Sequence, residues 1–384
     1  MRYADIPSDV QTQRVVSLDA LRGFNFIWIL GGEGAALALA DMLDDKGPVL
    51  GAIGNLIGPQ FLHARWEGYT FYDIVFPLFI FITGAAIALS LPRSVERRGM
   101  AGTYWRIIRR TLILYVLGLI FYGGISEHWE DIRYVGVLQR IAACYLVTSI
   151  LFLHLRWRGL VAVSVALLVG YWAVMTFVPV PGGFGTPSYA PDANLANWID
   201  RTYLPGRLWD QTRDPEGLLS TFPAIVNCVM GALAGLLICN ATISGARKAA
   251  YLMGGGIALV LLGHLWGLQF PIIKAIWTSS FVLVSGGWSL MLLGAFYLIV
   301  DVRGYRAWTP FLVWIGANAI VLYFFNNLVG FERIAVKLVG GDFGRMLDEL
   351  ITPDTGKLVA HSLGLAIAIA IAGFMYRRKV LVRV

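Results

Sequence analysis

The chain has 384 residues, of which 57% are hydrophobic and 14% charged, and a formal net charge of +7. Soluble domains are about 45–50% apolar and about 25% charged, so this composition argues against a soluble enzyme and describes a polytopic membrane protein. Cys144, Cys228 and Cys239 all lie in apolar runs, which speaks against a disulfide framework, and no zinc-type spacing is present.

Residues 1–18 are polar, without an apolar core or a small-residue cleavage site, and read as a cytoplasmic N-terminal segment rather than a signal peptide. Apolar runs of about 17–25 residues mark spans. They fall near 23–41, 69–91, 105–124, 134–154, 159–178, 217–239, 249–268, 275–300, 308–329 and 359–376. The expectation is an all-α bundle of about ten transmembrane helices in a single domain over 1–384. The mixed segment 331–350 is amphipathic and reads as interfacial. The pairs Gly31-Gly32 and Gly286-Gly287 and the run Gly254 to Gly256 suit close helix packing in lipid.

Orientation follows from lysine and arginine asymmetry. The side holding the N-terminus, the even-numbered loops and the C-terminus carries 19 of the 31 basic residues, but only Asp5, Asp9, Asp19, Glu96 and Asp301 among the acids. Both termini are therefore expected in the cytoplasm, and the basic excess reflects topology rather than nucleic-acid binding. The opposite side carries long connections at 42–68, 179–216 and 330–358. Loops longer than about 12–15 residues are often functional. Trp198, Tyr203 and Trp209 in the second of them suit a sugar face, or an aromatic belt.

The stretch His63 to Gly84, HARWEGYTFYDIVFPLFIFITG, places ionisable groups at and inside the second span. Each costs several kcal/mol there, so a use is expected. His63 reads as nucleophile or general base. Asp73 is suited to orienting it, but ten residues of straight helix would separate the two by about 15 Å, so a bend is needed and Gly68 can supply it. Glu33, in GGEG, is a candidate proton acceptor. Asp214 and Glu216, in RDPEG, are candidates for the acceptor side, though acids beside Pro215 are also an ordinary helix start. Arg140, in YVGVLQR, needs an acidic partner among Asp73, Glu33 and Glu216, and with Lys274 and Trp277 it joins the expected substrate group. On the cytoplasmic side Arg22 and Arg110 can hold the phosphates of a nucleotide-type cofactor. Asn318, mid-span in the ninth run, is placed with them, although single asparagines in spans often only bond another helix. No Walker A motif or dinucleotide fingerprint appears, which disfavours an ATP-driven pump. His128, His154, His264 and His361 show no metal spacing and read as structural.

Five pieces, RVVSLDALRGF (14–24), HARWEGYTFYDIVFPLFIFITG (63–84), IRYVGVLQRIA (132–142), DPEG (214–217) and TPFLVWIGANAIVLY (309–323), together resemble the heparan-α-glucosaminide N-acetyltransferase family in its bacterial branch. The resemblance runs from the first span to the ninth. It implies acetyl transfer from cytosolic acetyl-CoA to the amino group of a glucosamine-type sugar on the far side, with His63 as the catalytic residue and no metal. It also implies an integral membrane protein, expected in a bacterial inner membrane. The lumenal domain of the animal enzyme is absent here, so heparan itself is not expected as acceptor, and Glu33 stands where an asparagine of the animal enzyme aligns. A homodimer is left open as a partner state. Two competing readings are a secondary transporter of an amino sugar or other small solute, and an O-acetyltransferase of an envelope glycan. Transporters often carry inverted repeats with paired broken helices, and no such pairing is visible.

Overall fold

The computed structural model describes residues 15–44, 46–126, 128–181 and 187–380. Most of the expected N-terminal segment (1–14), residues 182–186 of the second outer connection, and Arg383 lie outside the described residues. Everything described is helix, turn or loop, with only isolated bridges between extended residues.

The chain opens with α1 (Val16–Ile27), a π-helical turn at Trp28–Gly32 and α2 (Glu33–Asp44). Then come α3 (Pro48–Ile57), the long α4 (Phe71–Phe121), α5 (Val137–His154), α6 (Trp157–Phe177), α7 (Leu195–Tyr203), α8 (Leu218–Ile238), α9 (Gly245–Gly267) and α10 (Ser279–Phe296). The C-terminal part holds α11 (Pro310–Ala317), α12 (Ala319–Leu328), α13 (Phe331–Val339), α14 (Asp342–Leu350) and α15 (Thr355–Arg377). Among the described residues eight helices are long and apolar enough to cross a membrane, or nine if α11 and α12, bent by 74° at Asn318, are one span. The chain is an integral membrane protein. The count of about ten and the side of each terminus stay expectations from the sequence. The second and third expected spans form the single element α4, broken at Gly99, whose φ of 67° and ψ of −179° no helix contains. Segment 331–350 forms two short helices, α13 and α14, rather than a crossing. In the 42–68 connection α3 is a helix that the sequence reading did not anticipate.

Glycine sets the close contacts. A Cβ at Gly84 of α4 would lie 1.8 Å from the Cys228 carbonyl oxygen, and one at Gly231 of α8 would lie 1.9 Å from that of Phe81. The two backbones touch through each other's missing side chains, the small-residue mode of packing in lipid. Gly256 of α9 and Gly287 of α10 repeat the arrangement, each with its would-be Cβ 2.6 Å from the other's carbonyl oxygen. Gly31 behaves differently. Its φ of 125° ends α1 in the π turn instead of packing two helices. α8 runs through the middle of the bundle, largely buried, while α6, α9 and α15 turn most of their surface outward.

Candidate active site

A cavity of about 540 Å³ runs through the bundle. Its wall includes Arg22 of α1 and Thr83 and Arg110 of α4 at one end, and His63, Asp73, Lys274 and Glu216 at the other. Between them the lining is apolar: Phe26, Ile29, Val75, Phe76, Phe79, Leu114, Leu138, Ile141 and Ile320. Asp73 and Thr83 are ten residues apart on α4, so the wall extends over about 15 Å along that helix.

The bend expected at Gly68 is present. Gly68 has a φ of 93°, and its N–H donates to the Ile272 carbonyl at 2.8 Å, which fastens the 62–70 loop to the 268–278 loop. α4 then starts after Thr70. Asp73 sits at the third helical position and accepts from the Thr70 N–H at 3.0 Å, so it is a helix-start residue as well as a site residue. The same carboxylate accepts from the Ala64 N–H at 3.0 Å and lies 2.7 Å from His63 Nδ1. Lys274, delivered by the second loop, donates to Asp73 Oδ1 at 3.0 Å, and its Nζ is also 3.0 Å from His63 Nδ1. Asp73 is buried, while the His63 side chain is 57% exposed. With Nδ1–H directed at Asp73, His63 Nε2 is left with its lone pair free. Burial pulls the Lys274 ammonium below the usual lysine range, opposed by the charge of Asp73.

A second ionic cluster stands beside this one. Arg133 donates to Asp214 through Nε at 2.9 Å and Nη2 at 2.7 Å, and to Glu216 Oε2 at 2.6 Å. All three side chains are buried. The guanidinium also lies over the Tyr122 ring at 4.5 Å and the Trp209 ring at 4.7 Å. Burial alone would lower the Arg133 pKa, but its bond to Asp214 and the charge of Glu216 carry it above the ordinary arginine value. Burial pushes the Glu216 carboxyl up, against Arg140 and Arg133.

Several expected site residues sit elsewhere. Asp214 is not part of the cavity wall; the Trp209 and Glu216 N–H groups and Arg133 saturate it, and it holds the 209–217 turn together. Arg140, rather than pairing directly with an acid, donates to the Gly217 carbonyl at 3.2 Å and to the Ser220 hydroxyl, with its guanidinium over the Trp277 ring. Trp277 is 1% exposed and donates to Asn227 at 3.0 Å. These two form the packing behind the wall, as does Asn318, which is buried at the bend ahead of the lining residues Ala319 and Ile320. Glu33 also lies off the main cavity. It lines a smaller adjoining cavity, while Tyr72 lines the main one. Arg133 and Arg213 went unmarked in the sequence, although both stand in quoted motifs or beside them. Two acids at a span edge, Asp214 and Glu216, were the signal that a buried cation had to meet them.

Residues 14–202 match the family described as a domain of unknown function, DUF5009. The chain is 30% identical to the human heparan-alpha-glucosaminide N-acetyltransferase over 321 residues, 68% of this chain and 48% of that protein. It is 28% identical to the mouse heparan-alpha-glucosaminide N-acetyltransferase over 322 residues, with the same shares. The chain thus spans about half the length of the curated relatives it matches.

Proposed function

We propose that this chain, a relative of the heparan-alpha-glucosaminide N-acetyltransferases, is a transmembrane acetyltransferase that moves acetyl from acetyl-CoA to the amino group of a glucosamine-type sugar. One observation carries the reading: a single cavity connects a pair of arginines, Arg22 and Arg110, with a histidine held by a buried carboxylate. A phosphate-bearing donor and a distant reacting group need those two ends.

Arg22 and Arg110 hold the nucleotide end of acetyl-CoA from the cytoplasmic side, as both termini are read to be cytoplasmic. The thin arm of the donor lies along the apolar stretch between Phe79 and Val75 and brings the thioester to His63. The acceptor comes from the other side, past Glu216 and the 179–216 loop. His63 Nε2 takes a proton as the amine nitrogen attacks the thioester carbonyl; the C–S bond breaks, and the departing thiolate takes that proton. Asp73 fixes the tautomer that leaves Nε2 available. An acetyl group carried briefly on the same Nε2 would use the same geometry, and trapping of labelled protein after acid quench separates the two routes.

The test is turnover of labelled acetyl-CoA with glucosamine by purified protein, beside His63→Ala. Labelled N-acetylglucosamine from the wild type alone is the expected result. Acetyl-CoA binding without turnover of any amine would direct attention to hydroxyl acceptors on envelope glycans. Failure to bind acetyl-CoA would overturn the reading and favour a transporter.

A further inference from the structure

Lys274 opens a tight turn. The Trp277 N–H donates to the Lys274 carbonyl at 2.9 Å, and Trp277 itself takes a φ of 51°, a left-handed conformation that a bulky residue keeps only where its surroundings hold it. Those surroundings are present. The Trp277 indole is buried and bonded to Asn227, and the Ile273 N–H donates to the Thr278 hydroxyl at 3.0 Å. Gly68 fastens the other flank of the turn through Ile272. The turn is thus held on both sides, and it directs the Lys274 side chain at the buried carboxylate.

His63 Nδ1, Lys274 Nζ and Asp73 Oδ1 form a nearly regular triangle, with sides of 2.7 Å, 3.0 Å and 3.0 Å. Both nitrogens face the same oxygen. An ammonium and an imidazolium side by side at 3.0 Å would each disfavour the other's charged form. The triangle therefore suits one positive charge, not two, beside the carboxylate. In free peptides a lysine amine holds its proton to about pH 10.4 and an imidazole to about pH 6.5, so the lysine has the stronger claim. The other charged groups nearby are paired among themselves: Arg133 with Asp214 and Glu216, and Arg213 with Asp210. Arg65 lies on the His63 loop and lines the cavity, Glu33 lines the smaller cavity, and the Tyr72 ring packs on the imidazole with centroids 5.0 Å apart. Among the described residues only Lys274 and His63 bring a cationic group to Asp73.

We propose that Lys274 is a positioning residue for the proton of His63: its ammonium serves as the counter-ion of Asp73, so the imidazole stays neutral and its Nε2 lone pair stays available. A buried carboxylate needs a cation. Without Lys274 the imidazole is the group left to supply it, and a protonated His63 has no lone pair to offer an amine. The lysine thus separates two duties that a bare His–Asp pair would place on the histidine alone. The proposal rests on His63 as the reacting group, but its first test does not require turnover.

That test follows carbethoxylation of His63 by diethyl pyrocarbonate, which only an unprotonated ring nitrogen attacks. The rate is read by mass spectrometry from about pH 5 to about pH 9, the range in which imidazoles titrate, in the wild type, Lys274→Gln, Lys274→Met and Lys274→Arg. Lys274→Gln can still donate to Asp73 but carries no charge. Both uncharged variants are expected to move the midpoint of labelling up by about one pH unit, which slows labelling about tenfold on the acidic side. Lys274→Arg restores the charge and is expected to return the midpoint to that of the wild type. An unmoved midpoint in the uncharged variants would overturn the proposal. So would a shift in Lys274→Met that Lys274→Gln does not share, which would make the hydrogen bond, not the charge, the point. Should Lys274→Met fail to fold, the comparison of Lys274→Gln with Lys274→Arg still decides. In turnover the uncharged variants should lose rate near neutral pH and regain it at higher pH, with KM for acetyl-CoA unchanged; a loss that high pH does not restore contradicts the proposal. If the wild type turns over no acceptor, the acetyltransferase reading falls while the labelling still decides the role of Lys274.

Discussion

Asp73→Asn separates the two duties of the buried carboxylate. Asp73 accepts from the Thr70 and Ala64 N–H groups through one oxygen and meets His63 Nδ1 and Lys274 Nζ through the other. An asparagine keeps a carbonyl oxygen for the two backbone donors, so the helix start survives. Its amide then presents N–H to His63 Nδ1, which forces the proton onto Nε2 and removes the lone pair that the reaction uses. The same exchange in a serine-protease triad costs about 10⁴ in kcat through the wrong tautomer, and a loss of about 10³–10⁴ is expected here. KM for acetyl-CoA should hold, because Arg22 and Arg110 line the far end of the cavity. Steady-state kinetics with labelled acetyl-CoA measures both, and Asp73→Ala is the comparison that also loses the bonds from the Thr70 and Ala64 N–H groups. A kcat for Asp73→Asn within tenfold of wild type would reduce Asp73 to a helix start and refute the dyad.

Arg110→Ala should raise KM for acetyl-CoA more than that for the sugar; an effect confined to the sugar would mean the cavity is entered from the opposite end. Arg133→Met leaves Asp214 and Glu216 buried without their cation, and should cost about 3–5 kcal/mol, read as a lowered Tm in detergent; an unchanged Tm would place the cluster outside the stability of the fold. Asp200 is buried in α7, where it accepts from the Leu218 N–H at 2.8 Å, and burial pushes its carboxyl up from 3.8 to about 7. A raised carboxyl favours the folded state below its unfolded value and loses that advantage as pH rises to about 7. Wild-type Tm should therefore fall relative to Asp200→Asn between about pH 4 and pH 7, and a constant difference across that range would contradict the raised value.

The helical membrane fold was legible because apolar runs of span length need no tertiary information to be seen. The pairing of His63 with Asp73 was legible for a related reason: both stand in one short segment, and Gly68 between them marked the bend. Lys274 reaches His63 from 211 positions away in the chain and Asp73 from 201, and no local pattern carries such a meeting. Arg133 escaped notice because an arginine near a span end looks like topology until the acids that bury it are placed. Glu33 draws attention by its charge, but the π turn at Trp28–Gly32 sets it in the wall of a smaller cavity rather than the main one. Gly316, two residues before the bend at Asn318, does not by itself announce it, because that glycine also serves the close approach of α11 to α1, where a Cβ would lie 2.3 Å from the Asp19 carbonyl oxygen.

The Gly68–Ile272 bond also bears on how the protein is made. The 62–70 loop leaves the ribosome some two hundred residues before the 268–278 loop that clamps it. A growing chain that already contains His63 and Asp73 lacks Lys274 and the main-chain anchor, and α12 is not yet in place to wall the cavity. A half-synthesised chain therefore holds His63 and Asp73 without the cation and the far wall that complete the site. The site is complete only when the second loop has crossed to meet the first, so its assembly is a late event in the making of the chain.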